Sequence, residues 1–164
     1  MPSGKCPSCF VPLYAENRCV HRERYLDMLA FVISRGITVE QPNREDFAWK
    51  PADSFRHGFD TYIRISSLGY RYYAWDVMTS VLIHEFGHCD LFSQGIAERP
   101  ESSWEEKQAI EQAANRRGLE MTPPHLVPEQ YHRHREFFLQ AYLDHGWTEE
   151  KCLAEWKLFQ ERPS

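Results

Sequence analysis

The chain has 164 residues and a formal net charge of -5. That is long enough to close one hydrophobic core and of the wrong sign for general binding to a phosphate backbone. With 42% hydrophobic and 14% aromatic residues the composition is globular, and no stretch approaches the roughly 18 apolar residues that a membrane span needs. The opening "MPSGKCPSCFVPLYAENRC" shows no basic flank leading into an apolar h-region, so the expectation is a cytoplasmic protein without a membrane partner.

Residues 1–20 hold three prolines and three of the five cysteines without helical periodicity, and read as an appendage. From His21 onward Tyr25, Met28, Leu29, Val32 and Ile33 recur at spacings of three and four, and Gly36 follows as a stop, which predicts a first helix. "GITVEQP" (36–42) predicts a short strand ended by proline. Residues 43–58 show no period and are expected to be loop with at most one helical turn. In "DTYIRISSL" (60–68) Thr61, Ile63 and Ile65 alternate with Tyr62, Arg64 and Ser66, the pattern of a strand with one buried face. "YRYYAW" (70–75) is either its hairpin partner or the lead into the next helix.

A second helix is expected from Asp76, as N-cap, down to Gly95, since Val77, Val81, His84, His88 and Phe92 fall on one face. Ser102 or Ser103, each with a glutamate three residues on, marks a capping box for a third helix ending near Met121 before "TPP". "PEQYHRHREFFLQAYLDHG" predicts a fourth helix, and Thr148 followed by Glu149 and Glu150 opens a fifth.

The second helix contains "HEFGH". Histidines four apart lie one turn above each other on one helix face, so two neutral imidazoles can converge on one metal ion. Glu85 lies about 100 degrees round from His84, poorly placed as a ligand but within reach of a water at the ion, as a general base and acid requires. A shuffled chain of this composition would contain the string about 4 times in 100; its place in an amphipathic helix, where unligated polar groups would be costly, favours the metal. A catalytic zinc site needs a third ligand. Glu111, on the next helix, is placed to face the histidines if the two helices run antiparallel, and Glu105 and Glu106 are alternatives.

At these residues the chain resembles the gluzincin-type HExxH zincin metallopeptidases, and among them the small intracellular peptidases of the ImmA/IrrE type. Their second motif, E-x-x-A-[ND], is matched by Glu111, Ala114 and Asn115, and "GLEMTPP" is similar to the L-M-x-P ending that follows it. The likeness covers residues 60–124, and Asn115 stands where aspartate is commoner. It implies an α+β, mostly helical zincin-like domain over residues 21–164 with a small antiparallel sheet, behind the Cys-containing appendage 1–20. It also implies that Zn2+ is the cofactor, held by His84, His88 and Glu111, that Ala114 lets two helices approach closely, and that Asn115 orients a ligating histidine. The substrate would be a peptide or protein, held along an edge strand such as 60–68. Tyr131, His132, His134 and His125 are candidate donors to an oxyanion.

Cys6, Cys9, Cys19 and His21 form a possible second, structural zinc site, although the C-x-H pair is tighter than usual. Cys89 is expected to point away from the metal, and Cys152 to sit in the core. The reading is therefore a zinc metallopeptidase with Glu85 as general base. The alternative is a zincin-fold regulatory or protein-binding chain without turnover, and a third possibility makes the cysteine appendage a docking module.

Overall fold

The computed structural model describes residues 19–40, 50–66, 73–144 and 147–162. Among them the fold is mostly helical with one small sheet: α1 (Val20–Ser34), β1 (Thr38–Glu40), β2 (Ala52–His57), β3 (Asp60–Ile65), α2 (Trp75–Ser93), α3 (Trp104–Met121), a single 3-10 turn (Pro124–Leu126), α4 (Tyr131–Leu143) and α5 (Glu149–Glu161). This is the expected α+β class. No helix among the described residues is long and apolar enough to cross a membrane.

Helix α2 is the centre of the molecule. Every residue from Val77 to Cys89 is buried, together with Trp75 and Leu91, because α1, α3, α4 and the sheet surround it. A helix covered on all sides must be apolar nearly all round, and α2 is, apart from Thr79, Ser80, His84, Glu85 and His88. Thr79 and Ser80 donate to the carbonyls of Trp75 and Asp76 one turn back, which satisfies their hydroxyls. Helix α1 lies against α2 through Tyr25 on Trp75 and Phe31 on Phe86, at ring separations of 5.3 and 5.6 Å. Gly36 follows α1 with φ 84, the left-handed conformation expected of a residue that stops a helix. The start of α2 falls earlier than expected: Ala74 is the N-cap and Asp76 lies in the first turn, because buried Trp75 is drawn into the helix.

The sheet has the order β1-β3-β2. One pairing is antiparallel, as expected, with Ala52↔Ile65 through His57↔Asp60; the other is parallel, Thr38↔Tyr62 to Glu40↔Arg64, so the sheet is mixed. Three sequence expectations are corrected here: the sheet is mixed rather than antiparallel, residues 52–57 are strand rather than loop, and β3 is the central strand while β1 and β2 are its two edges. The partner of β3 precedes it, through a two-residue turn in which Gly58 takes φ 63 and Phe59 is 96% exposed. A tight hairpin of this kind needs a positive φ, and glycine supplies it without a Cβ clash. The alternation of β2 was hidden because its inner face is Ala52, Ser54 and Arg56, and its outer face Asp53, Phe55 and His57. The outer residues pair across the strands: Arg64 Nε donates to Asp53 Oδ1 at 2.8 Å, and Phe55 stacks on Tyr62 at 4.8 Å. Such cross-strand pairs stabilise a sheet by a few tenths to about 1 kcal/mol each.

The capping box of α3 forms as expected, Ser103 with Glu106, and Thr148 caps α5 by accepting from the Lys151 backbone N–H at 3.1 Å. Helices α4 and α5 extend the same apolar core, with Trp156 meeting Phe137, Phe138 and Tyr73.

Candidate metal centre

His84 and His88 lie one turn apart on α2, and α3 brings Glu111 opposite them. His84 Nε2 is 3.0 Å from Glu111 Oε2, His88 Nε2 is 3.4 Å from Glu111 Oε1, and the two Nε2 atoms are 3.1 Å apart. A tetrahedral zinc with bonds of about 2.0 to 2.1 Å separates its ligand atoms by about 3.3 Å, so this donor triangle has the dimensions the ion requires. Among the described residues these three form the one group of histidine, cysteine and carboxylate side chains able to hold a metal. Glu105 and Glu106 are exposed and Glu106 is committed to the capping box, so neither alternative takes part.

The triangle exists because α2 and α3 touch backbone to backbone. Between the two histidines, Gly87 faces the carbonyl of Ala114; a Cβ built on Gly87 would stand 2.0 Å from that oxygen. A Cβ on Gly118 would stand 2.1 Å from the carbonyl oxygen of Ile83. Ala114 between them is 0% exposed. Any side chain at the two glycines would force the helices apart, and Glu111 with them. The sequence reading noted Ala114 but not Gly87 or Gly118. A signal was present: glycine inside a helix costs up to about 1 kcal/mol relative to alanine, so two of them at a motif imply a packing reason.

Asn115 settles the state of His84. Its Oδ1 accepts from Arg135 Nε at 2.8 Å and lies 2.6 Å from His84 Nδ1. A guanidinium can only donate, so the shared atom is the amide oxygen and His84 Nδ1 must carry a hydrogen. In the neutral ring Nε2 is then a bare lone pair. Burial foremost, and the Arg135 charge, hold the His84 pKa below its usual value, which keeps the ring neutral near pH 7. The lone pair therefore points at a carboxylate oxygen 3.0 Å away, two acceptors facing each other. Burial pulls His88 down, but its hydrogen bond to Glu111 and the surrounding carboxylates outweigh that and raise its pKa. Even with His88 donating, no group among the described residues lies between His84 Nε2 and Glu111 Oε2. A cation between them removes the repulsion.

Glu85 stands beside the triangle and outside it, with Oε1 4.0 Å from His84 Nε2. Ser54 Oγ donates to its other oxygen, Oε2, at 2.7 Å, so the edge strand β2 orients this carboxylate. Both belong to a cleft of about 280 Å³ lined by β2, α2 and α4, with Arg135, Phe138 and Tyr142 on the α4 wall and Lys50 and Glu98 among the other contributors. Tyr142 OH donates to Glu98 Oε1 at 2.7 Å. Burial raises the Glu98 carboxyl to about 7, with the neighbouring Glu111 adding to the effect and Tyr142 opposing it.

None of the four expected oxyanion donors lines this cleft. Tyr131 OH donates to the Asn115 carbonyl at 2.8 Å, and His134 is buried with Nδ1 2.7 Å from Ser80 Oγ. His125 and His132 are exposed. The donors on the α4 wall are Arg135 and Tyr142, which periodicity could not distinguish from their neighbours. Cys89 is buried off the cleft with its thiol pKa raised by burial, and Cys152 sits in the core 3.2 Å from Tyr73 OH; both agree with the sequence reading. Of the possible second site, Cys6 and Cys9 lie outside the described residues. Cys19 is buried in the core at the N-cap of α1, and His21 is half-buried beside it in sequence, with no hydrogen-bond partner for Nδ1 among the described residues.

No protein-family model, curated protein or solved structure matches this chain.

Proposed function

We propose that the protein is a zinc-dependent peptidase whose metal is held by His84, His88 and Glu111. The observation that supports this most is the triangle of His84 Nε2, His88 Nε2 and the Glu111 carboxylate oxygens at 3.0 to 3.4 Å, a set of donor atoms that a divalent cation would hold together. The ion would supply a Lewis acid that polarises a carbonyl and brings the pKa of water toward 7. Glu85, outside the donor triangle and oriented by Ser54, takes a proton from water and passes it to the departing amine. Asn115 holds the His84 ring in one tautomer, the usual work of a residue behind a ligating histidine. A peptide is the fitting substrate because β2 is an edge strand whose Ala52, Asp53 and Ser54 line the cleft, and an extended segment can hydrogen-bond along such an edge.

The test is a pair of variants. Glu85→Gln is expected to keep one equivalent of zinc and to lose hydrolysis of a susceptible protein by several orders of magnitude, whereas His84→Ala is expected to lose the zinc itself. Full activity in Glu85→Gln would remove this carboxylate from the chemistry, and zinc retained at full stoichiometry in His84→Ala would remove the site.

A further inference from the structure

Arg135 is 7% exposed and makes no ion pair among the described residues. Its Nε is spent on Asn115, and its plane lies over Phe138 at 5.3 Å. The Nη1 and Nη2 hydrogens make no hydrogen bond among the described residues, and the side chain lines the cleft that contains His84, Glu85, His88 and Glu111. A mostly buried guanidinium with no carboxylate hydrogen-bonded to it among the described residues gives up hydration without a direct partner in return. Holding Asn115 requires only Nε and does not account for the rest of the fork. Lys50 lines the same cleft and is exposed, so a second positive charge borders the space that Arg135 faces.

The charge balance gives the unused fork a purpose. A divalent ion with Glu111 and Glu85 sums to zero, and Asp53 on the cleft wall is already paired with Arg64. Arg135 and Lys50 then stand against one remaining carboxylate of the lining, Glu98, whose Oε1 already accepts from Tyr142 OH. The planar fork matches a carboxylate in two parallel hydrogen bonds, and Phe138 behind it fixes the plane. From this we propose that Arg135 receives a carboxylate of the substrate, so that the centre selects peptides carrying one close to the bond that is cut. The group is either the free C-terminal carboxylate or the side chain of an aspartate or glutamate. The proposal rests on the metal reading above.

The experiment measures binding to the Co2+-loaded full chain, read from its visible absorption. Acetohydroxamate, which has no carboxylate, reports the metal alone. Two matched pairs report Arg135: malonyl monohydroxamate coupled to Ala with a free C-terminus against Ala-amide, and to Asp-amide against Asn-amide. In the wild type the carboxylated member of at least one pair is expected to bind tenfold or more tighter than its neutral partner, and the pair that responds identifies which carboxylate is read. In Arg135→Met that preference is expected to vanish, each member of a pair being compared with acetohydroxamate in the same variant so that any effect passed through Asn115 to His84 cancels from the ratio. Arg135→Lys, which keeps the charge and loses the fork, is expected to lower the preference at least threefold and serves where the Met variant does not fold. Equal binding within both pairs in the wild type, or a preference that survives in Arg135→Met, overturns the proposal with the metal site intact. Absence of Co2+ uptake, or of acetohydroxamate binding, overturns the metal reading and this proposal with it.

Discussion

The two sides of the cleft are built on different principles. On one side α2 and α3 meet main chain to main chain at Gly87, Ala114 and Gly118, and the donor atoms of His84, His88 and Glu111 inherit their spacing from that contact. On the other side β2 and α4 offer side chains, Ser54 to Glu85 and Arg135 to Asn115, with Lys50 and Tyr142 at the same space. The backbone contact leaves the ligand positions almost no freedom. The side-chain walls can rotate and re-pair at modest cost, which suits surfaces that must meet a variable partner. On the proposed reading, the contrast would place rigidity where a metal needs fixed distances and adaptability where a peptide would enter.

Breaking the rigid side should have the largest effect. Gly87→Ala places a methyl group against a carbonyl that cannot turn away, and overpacking of that severity lies at or above the upper end of the usual range, about 3 kcal/mol or more. Chemical denaturation is expected to show that loss, and zinc analysis a site that no longer fills. The joint between α4 and α2 is the next most sensitive point. His134 is buried against Ser80, and its pKa is pushed down to about 4, chiefly by burial. The unfolded chain takes up this proton near pH 6.5 and the folded chain near 4, so the stability from neutral His134 is fully present above the former and lost as pH falls toward the latter. The loss is on the order of 2 to 3 kcal/mol across that window. It is measured on metal-free protein as the difference in urea midpoint shift between wild type and His134→Asn.

Smaller effects sharpen the contrast further. Asn115→Ala leaves both helices in place and frees the His84 ring, so zinc affinity measured by chelator competition is expected to fall 10- to 100-fold, with a stability loss of about 1 to 3 kcal/mol because Arg135 Nε loses its acceptor. Ser54→Ala, on the adaptable wall, removes one hydrogen bond to a charged group, worth about 1.5 to 3 kcal/mol at most and less where water can replace it. Hydrolysis is expected to slow by roughly tenfold or less with zinc content unchanged. A Ser54 variant that lost its metal would show that the two walls are not independent.

The sequence disclosed the helices well, because α1 combines an apolar period with a stop at Gly36, and Ser103 with Glu106 and Thr148 cap α3 and α5 as read. It also disclosed the three side chains that the fold brings together, His84, His88 and Glu111, since spacings of four on one helix and a carboxylate on the next define faces without tertiary information. It concealed β2, whose inner face uses Ser54 and Arg56 where a core strand would use apolar residues. Ser54 serves Glu85, and Arg56 Nη1 donates to the Phe92 carbonyl near the end of α2 at 2.9 Å. It concealed Arg135 as well, because "HRHR" marks a polar stretch and only the packing of α4 shows which of its members turns inward.

The glycine contacts also bear on how this chain can change. Most steric clashes in a core can be relieved by trimming the neighbour, but here the neighbour of each glycine is a peptide oxygen, which every amino acid possesses. A suppressor screen started from Gly87→Ala or Gly118→Ala should therefore return mainly true revertants and few compensating changes on the facing helix. For descendants of this sequence, those two positions act as a ratchet.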